Sequence, residues 1–121
     1  MNHKSGLEAI LRALGQLKSE EEPRMKINPI PCVKGRDGAM TRDMTVRQFY
    51  EHLQSEVLEA HREAVRSEIV GIGEYEEQTE LGDVITLALS WLVYKRGMDE
   101  EKLTLLFRRI GVKNRERGYH E

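Results

Sequence analysis

Apolar residues recur along most of this chain at intervals of three and four, the spacing of one face of an α-helix. Leu7, Ile10, Leu11 and Leu14 predict a short amphipathic helix over about residues 5–20. Val46, Phe49, Tyr50, Leu53, Val57, Ala60 and Ala64 cluster into a single stripe at 100° per residue, predicting a long helix from Val46 to about Ser67. Its start carries a capping-box pattern, Thr45-x-x-Gln48, with Met44 and Phe49 placed as a hydrophobic staple. Gly71 and Gly73 then break it. The next helix reads EEQTELGDVITLALSWLVYKR and closes at Gly97, where a left-handed residue is wanted. From Val84 onward it is so apolar that burial nearly all round is expected. Asp99 reads as the N-cap of a third strong helix, EEKLTLLFRRI, with Met98 and Leu103 as its staple, and the tail GVKNRERGYHE is polar and basic.

The first apolar pattern is separated from the others by EEPRMKINPIPCVKGRDGAMTRDM, which holds all three prolines together with Gly35 and Gly38. A connection of that length in a small domain is functional or mobile, and a lid over a substrate is one use for it. No segment asks for a β-sheet, so the expected fold is an all-α helical bundle. Residues 1–44 form an N-terminal helix and connection, and residues 45–121 the helical domain proper, in one compact unit. With 121 residues, 39% of them hydrophobic and 33% charged, the chain supports one modest core. A net charge of −2 supplies no basic field to hold a nucleic-acid polymer. No apolar run approaches the roughly 20 residues that span a bilayer, and the opening MNHKSGLEAI lacks a signal pattern, so a cytoplasmic protein is expected. Cys32, the single cysteine, reads as a free thiol.

The chemistry lies in the acids. Glu56, Glu59 and Glu63 fall together on the first long helix, with Glu56 nearest the apolar edge, so these acids border the core. Glu80 and Asp83 open a face that continues through Leu87, Trp91 and Tyr94. Acids in a first helical turn complement the helix dipole by about 0.3–1 kcal/mol each, and an E-x-x-E pair alone means little in a chain this acidic. The combination means more. Two antiparallel helices joined by a short Gly-containing turn bring Glu56, Glu59, Glu80 and Asp83 to one mouth, where crowded anions repel and drive protons on. A divalent cation relieves that repulsion, and an all-oxygen donor set suits Mg²⁺, with Mn²⁺ as a substitute. A di-iron bundle wants Glu-x-x-His pairs, and the residues three before His52, His61 and His120 are Phe49, Leu58 and Arg117.

Glu56-x-x-Glu59, twenty residues, then Glu80-x-x-Asp83 in a helical chain of this size resembles the MazG-like all-α nucleoside triphosphate pyrophosphohydrolases. The likeness covers about residues 45–119, through LQSEVLEA, ELGDVITLALSWL, the GMDEEKL helix start and the basic KNRERGY close. It implies Mg²⁺-dependent hydrolysis of an NTP or dNTP to the monophosphate and pyrophosphate, with the metal held by the four acids. It implies a homodimer or a dimer of dimers as well, in which helices of two chains complete a four-helix bundle and the site. Residues 1–44 have no counterpart in that pattern.

Under this reading Glu56, Glu59 and Asp83 are metal ligands, and Glu80 is a ligand or the base that orients water. The tail supplies Lys113, Asn114 and Arg115, with Arg117 beyond them, as substrate contacts, or it only complements a helix end and keeps it soluble. Glu63 reads as an outer candidate for the metal or as the partner of a nearby surface arginine, Trp91 and Tyr94 as a stacking surface for a base or, for Trp91 above all, as core, and His52 and His61 as surface residues. Two other functions fit the same chain: a noncatalytic helical adaptor that binds a protein through its N-terminal segment, and a pyrophosphohydrolase of another nucleotide-like metabolite.

Overall fold

Thr45 starts the helical part of the chain through the reciprocal bonds its sequence predicts. Its Oγ1 accepts from Gln48 N at 3.1 Å, and its own N–H donates to Gln48 Oε1 at 2.9 Å. In the computed structural model, which describes residues 25–120, three long helices follow: α1 (Val46–Val70), α2 (Glu74–Ser90) and α3 (Glu100–Glu116). The predicted helix over residues 5–20 lies outside the described residues. Among those described there is no strand, only an isolated antiparallel bridge between Lys34 and Met40, so the fold is all-α.

Gly71 and Gly73 end α1 and begin α2 with φ of 75° and 106°, left-handed values that a side chain strains. Gly71 N caps Ser67 O at 2.9 Å, so α1 runs three residues beyond the predicted Ser67. A connection of only residues 71–73 folds α2 back along α1 as an antiparallel hairpin. The staple residues Met44 and Phe49 enter the core with Trp91, and Leu53 and Leu87 pack against them. The rings of Phe49 and Trp91 stack, 4.3 Å between centroids and 16° apart, and Tyr50 meets Phe49 edge-on at 5.0 Å.

Past Ser90 the helix widens into a π turn over Trp91–Lys95, in which Arg96 N donates to Trp91 O at 3.0 Å. Periodicity alone gave no sign of this turn. It leaves Lys95 and Arg96 5.7 and 5.2 Å from the centre of the Trp91 ring. Gly97, at φ 68°, ends the element as expected, with Met98 N closing onto Leu92 O. Asp99 caps α3 as predicted, accepting from Lys102 N at 2.8 Å.

The proline-containing connection is tied down. Cys32 N donates to Ser90 Oγ at 2.7 Å, and Ser90 Oγ in turn donates to Thr86 O, satisfying a fully buried hydroxyl. Thr41 then holds the returning segment, donating to Cys32 O through its hydroxyl and to Val33 O through its N–H. Residues 34–40 between these anchors form a tight hairpin.

Two expectations change. Burial of α2 nearly all round is not found, because α1 covers one side of it and leaves Leu81 and Ile85 about half exposed. The polar tail is not a tail: α3 continues through Gly111 to Glu116, has no buried residue and packs only marginally on the other described helices.

Replacing Phe49 by Ala removes half of the central stack and is expected to lower the unfolding free energy by about 3–5 kcal/mol. The checks are a fall in the urea midpoint and a red shift of Trp91 emission in the folded baseline. An unchanged midpoint would show that the stack does not hold the hairpin.

Candidate metal centre

Contacts between α1 and α2 run in opposite directions along the two helices. Gly73 lies against Glu63, the carboxyl of Glu80 meets that of Glu59, and Phe49 stacks on Trp91. That register brings Glu56, Glu59 and Glu80 together, with a carboxylate oxygen of each within 4.8 Å of the others. Glu56 is buried at 5% exposure, while Glu59 and Glu80 are partly buried. Asp83, one turn further along α2, is exposed and stands outside this close group, although its charge still acts on Glu80.

Crowding has the expected electrostatic effect. Removal from water raises the Glu80 carboxyl above its usual range, and the charge of Glu59, a hydrogen bond to Glu59, and the charges of Glu56 and Asp83 push it in the same direction. Three hard oxygen donors from two rigid helices are a donor set that fits Mg²⁺ or Mn²⁺.

Glu56 is compensated by residues from two directions. Arg36, at the tip of the 34–40 hairpin, forms an ion pair with Glu56 through Nη2 and Oε1. His52 Nε2 lies 3.2 Å from the same oxygen. His52 is therefore not the free surface residue its isolation suggested; it sits one helical turn before Glu56 with its side chain 22% exposed. The i, i+4 spacing of His52 and Glu56 was the signal for this pair. Arg36 had no local signal, because its approach is made by the packing of the hairpin.

His61 is exposed, as read. Glu63 pairs with Arg66 at 3.4 Å and is not in the close acid group, the surface alternative of its two readings, and Trp91 is buried in the core. Lys113, Asn114 and Arg115 ride on α3, and the packing of the described helices does not gather them with the acids. Comparison of the chain with protein-family models, with curated proteins and with solved structures returned no match.

The raised Glu80 carboxyl makes a pH prediction. A group whose folded pKa exceeds its unfolded value contributes stability at low pH and withdraws it as pH rises through the folded value. The metal-free protein should lose thermal stability as pH climbs above the ordinary carboxylate range, and Glu80→Gln should remove that loss. Thermal melts of both proteins across that range, in EDTA, check it; identical pH profiles would contradict it.

Proposed function

We propose that this chain is a Mg²⁺-dependent nucleotide pyrophosphohydrolase that cleaves an NTP or dNTP to the monophosphate and pyrophosphate, with a MazG-like arrangement of its helices. The observation that carries the proposal is the convergence of Glu56, Glu59 and Glu80 from two antiparallel helices, one of them buried. A noncatalytic adaptor has no use for such a group, since like charges held together in reduced dielectric only oppose folding.

Glu56, Glu59 and Glu80 would hold the cation, and Asp83 would complete the set by turning its exposed side chain toward Glu80. Bound Mg²⁺ supplies charge neutralisation at the phosphates and lowers the pKa of a coordinated water. The residues' own part is positional. α1 and α2 hold the carboxylates in a fixed register, so little is lost in ordering them when substrate arrives. If Glu80 does not ligate the cation, it stands within the group as the carboxylate that would take a proton from an attacking water. In-line attack on phosphorus then needs no covalent nucleophile, and none of the acids has to leave its helix.

The proposal includes a homodimer or a dimer of dimers. Val46, Tyr50 and Val57 lie within 40° of arc on α1 and remain exposed, as do Leu81 and Ile85 on α2 and Leu105 and Val112 on α3. A second copy would cover these stripes and give α3 its partner, carrying Lys113, Asn114 and Arg115 toward a site as substrate contacts. Light scattering is expected to return at least twice the mass of one chain; a monomer at micromolar concentration would contradict the dimer.

Pyrophosphate release from the eight common NTPs and dNTPs, with Mg²⁺ and with EDTA, tests the activity. Metal-dependent release with a monophosphate product is expected, and Glu59→Gln should reduce it by at least about 100-fold while leaving the helical circular dichroism intact. Silence across the panel from folded, metal-supplied protein would contradict the NTP reading and turn attention to another pyrophosphate-containing metabolite.

A further inference from the structure

Arg36 has three carboxylates around it and bonds the buried one. Asp37 and Glu51 line the same cleft as Arg36, a space of about 410 Å³ between the hairpin and the first turns of α1. Both have other partners: Asp37 Oδ1 accepts from Ala39 N at 3.0 Å, and Glu51 pairs with Arg47 at 3.3 Å. The Arg36 guanidinium goes instead to Glu56 Oε1, joining a side chain that is 66% exposed to one that is 6% exposed. Its base is fixed. Gly35 N donates to Ala39 O at 2.8 Å, Gly38 N to Gly35 O at 3.0 Å, and Gly35 lies so close to the core residue Met44 that a Cβ on it would meet the Met44 methyl. A hairpin seated on the core and tied to Ser90 of α2 thus places a charge on an acid of α1.

Both nitrogen partners of Glu56, Arg36 Nη2 and His52 Nε2, meet the same oxygen, Oε1. That arrangement fixes the carboxylate from one side and leaves Oε2 for a cation. It also suits a loaded site. A divalent cation offsets two of the three charges on Glu56, Glu59 and Glu80, and the third still calls for a positive partner, since an uncompensated charge in a buried group is costly. Groups that hydrogen-bond a metal's ligands orient them, and removing such a group typically lowers metal affinity about 10–100-fold.

We propose that Arg36 is a positioning residue of the metal centre: it stays bonded to Glu56 Oε1 when a divalent cation binds, keeps Oε2 turned to the cation shared with Glu59 and Glu80, and balances the charge that the cation leaves. This deepens the metal-site reading above and rests on it. It gives the connection between residues 32 and 44 a use other than linkage, as the outer support of one ligand. Guanidinium and cation then favour each other's binding to Glu56 through its two oxygens.

The test uses the full chain, Arg36→Gln and Arg36→Lys, with Mn²⁺ alone as the probe, followed by its paramagnetic resonance signal. Arg36→Gln should weaken Mn²⁺ binding about tenfold or more. Arg36→Lys keeps a cationic donor for Oε1 and should recover most of that loss. A measurement on the wild type decides the matter if the variants do not fold: nitrogen-15 spectra of its arginine side chains should show the Arg36 guanidinium held in its ion pair both without metal and in saturating Mg²⁺. Release of that guanidinium by Mg²⁺ would overturn the proposal. A purely structural ion pair predicts lower melting temperatures with Mn²⁺ affinity unchanged, and that result would overturn it and leave the metal site standing. Tighter Mn²⁺ binding by Arg36→Gln would do the same, since it marks a guanidinium that competes with the cation, and so would an equal loss in both variants. Absence of Mn²⁺ binding in all three proteins would overturn the metal-site reading and this proposal together.

Discussion

The register of α2 against α1 is the constraint on which the site depends. It is set at one end by the turn through Gly71 and Gly73, whose left-handed backbone lets α2 leave α1 within three residues. At the other it is set by the stacked rings of Phe49 and Trp91. Between Glu63, beside the turn, and Phe49 lie 14 residue steps, about 20 Å of helix. Glu56 and Glu59 sit midway, opposite Glu80. A slip of α2 by a single residue would rotate Glu80 by 100° and dissolve the group.

Those carboxylates are placed against their own electrostatic interest. Glu56 is nearly excluded from water and is neutralised by Arg36, with His52 in hydrogen-bond reach of the same oxygen, whereas Glu59 and Glu80 share the remaining repulsion, with Glu80 pushed toward its protonated form. Removing a partner from a buried charge typically costs several kcal/mol, so the hairpin that carries Arg36 is bound energetically to the state of Glu56. The anchors of that hairpin, from Cys32 to Ser90 and from Thr41 back to Cys32, are correspondingly firm. Structure and proposed chemistry meet at one oxygen atom.

Much of this was written locally. Thr45, Gln48, Gly71, Gly97 and Asp99 act within three or four residues of themselves, and each does what its type and position predict. Three of the acids could be placed at one mouth because a short hairpin turn leaves few registers open; Asp83, with the same spacing from Glu80 as Glu56 has from Glu59, is exposed and stands outside the group. The π turn after Ser90 escaped notice, since it keeps an apolar stripe while changing its phase. The extension of α3 through Gly111 escaped for a related reason, as a glycine in a helix costs only about 1 kcal/mol and does not by itself stop one. Arg36 was the hardest to see: twenty positions separate it from Glu56, and only tertiary packing joins them. The exposed stripes on all three helices remain the part of the pattern that packing among the described residues does not account for.

The most direct test of the central claim is the position of a bound metal. Crystals of the full chain grown with Mn²⁺ should show an anomalous peak within coordination distance of carboxylate oxygens of Glu56, Glu59 and Glu80. A peak bound elsewhere, or none at saturating Mn²⁺, would contradict the account.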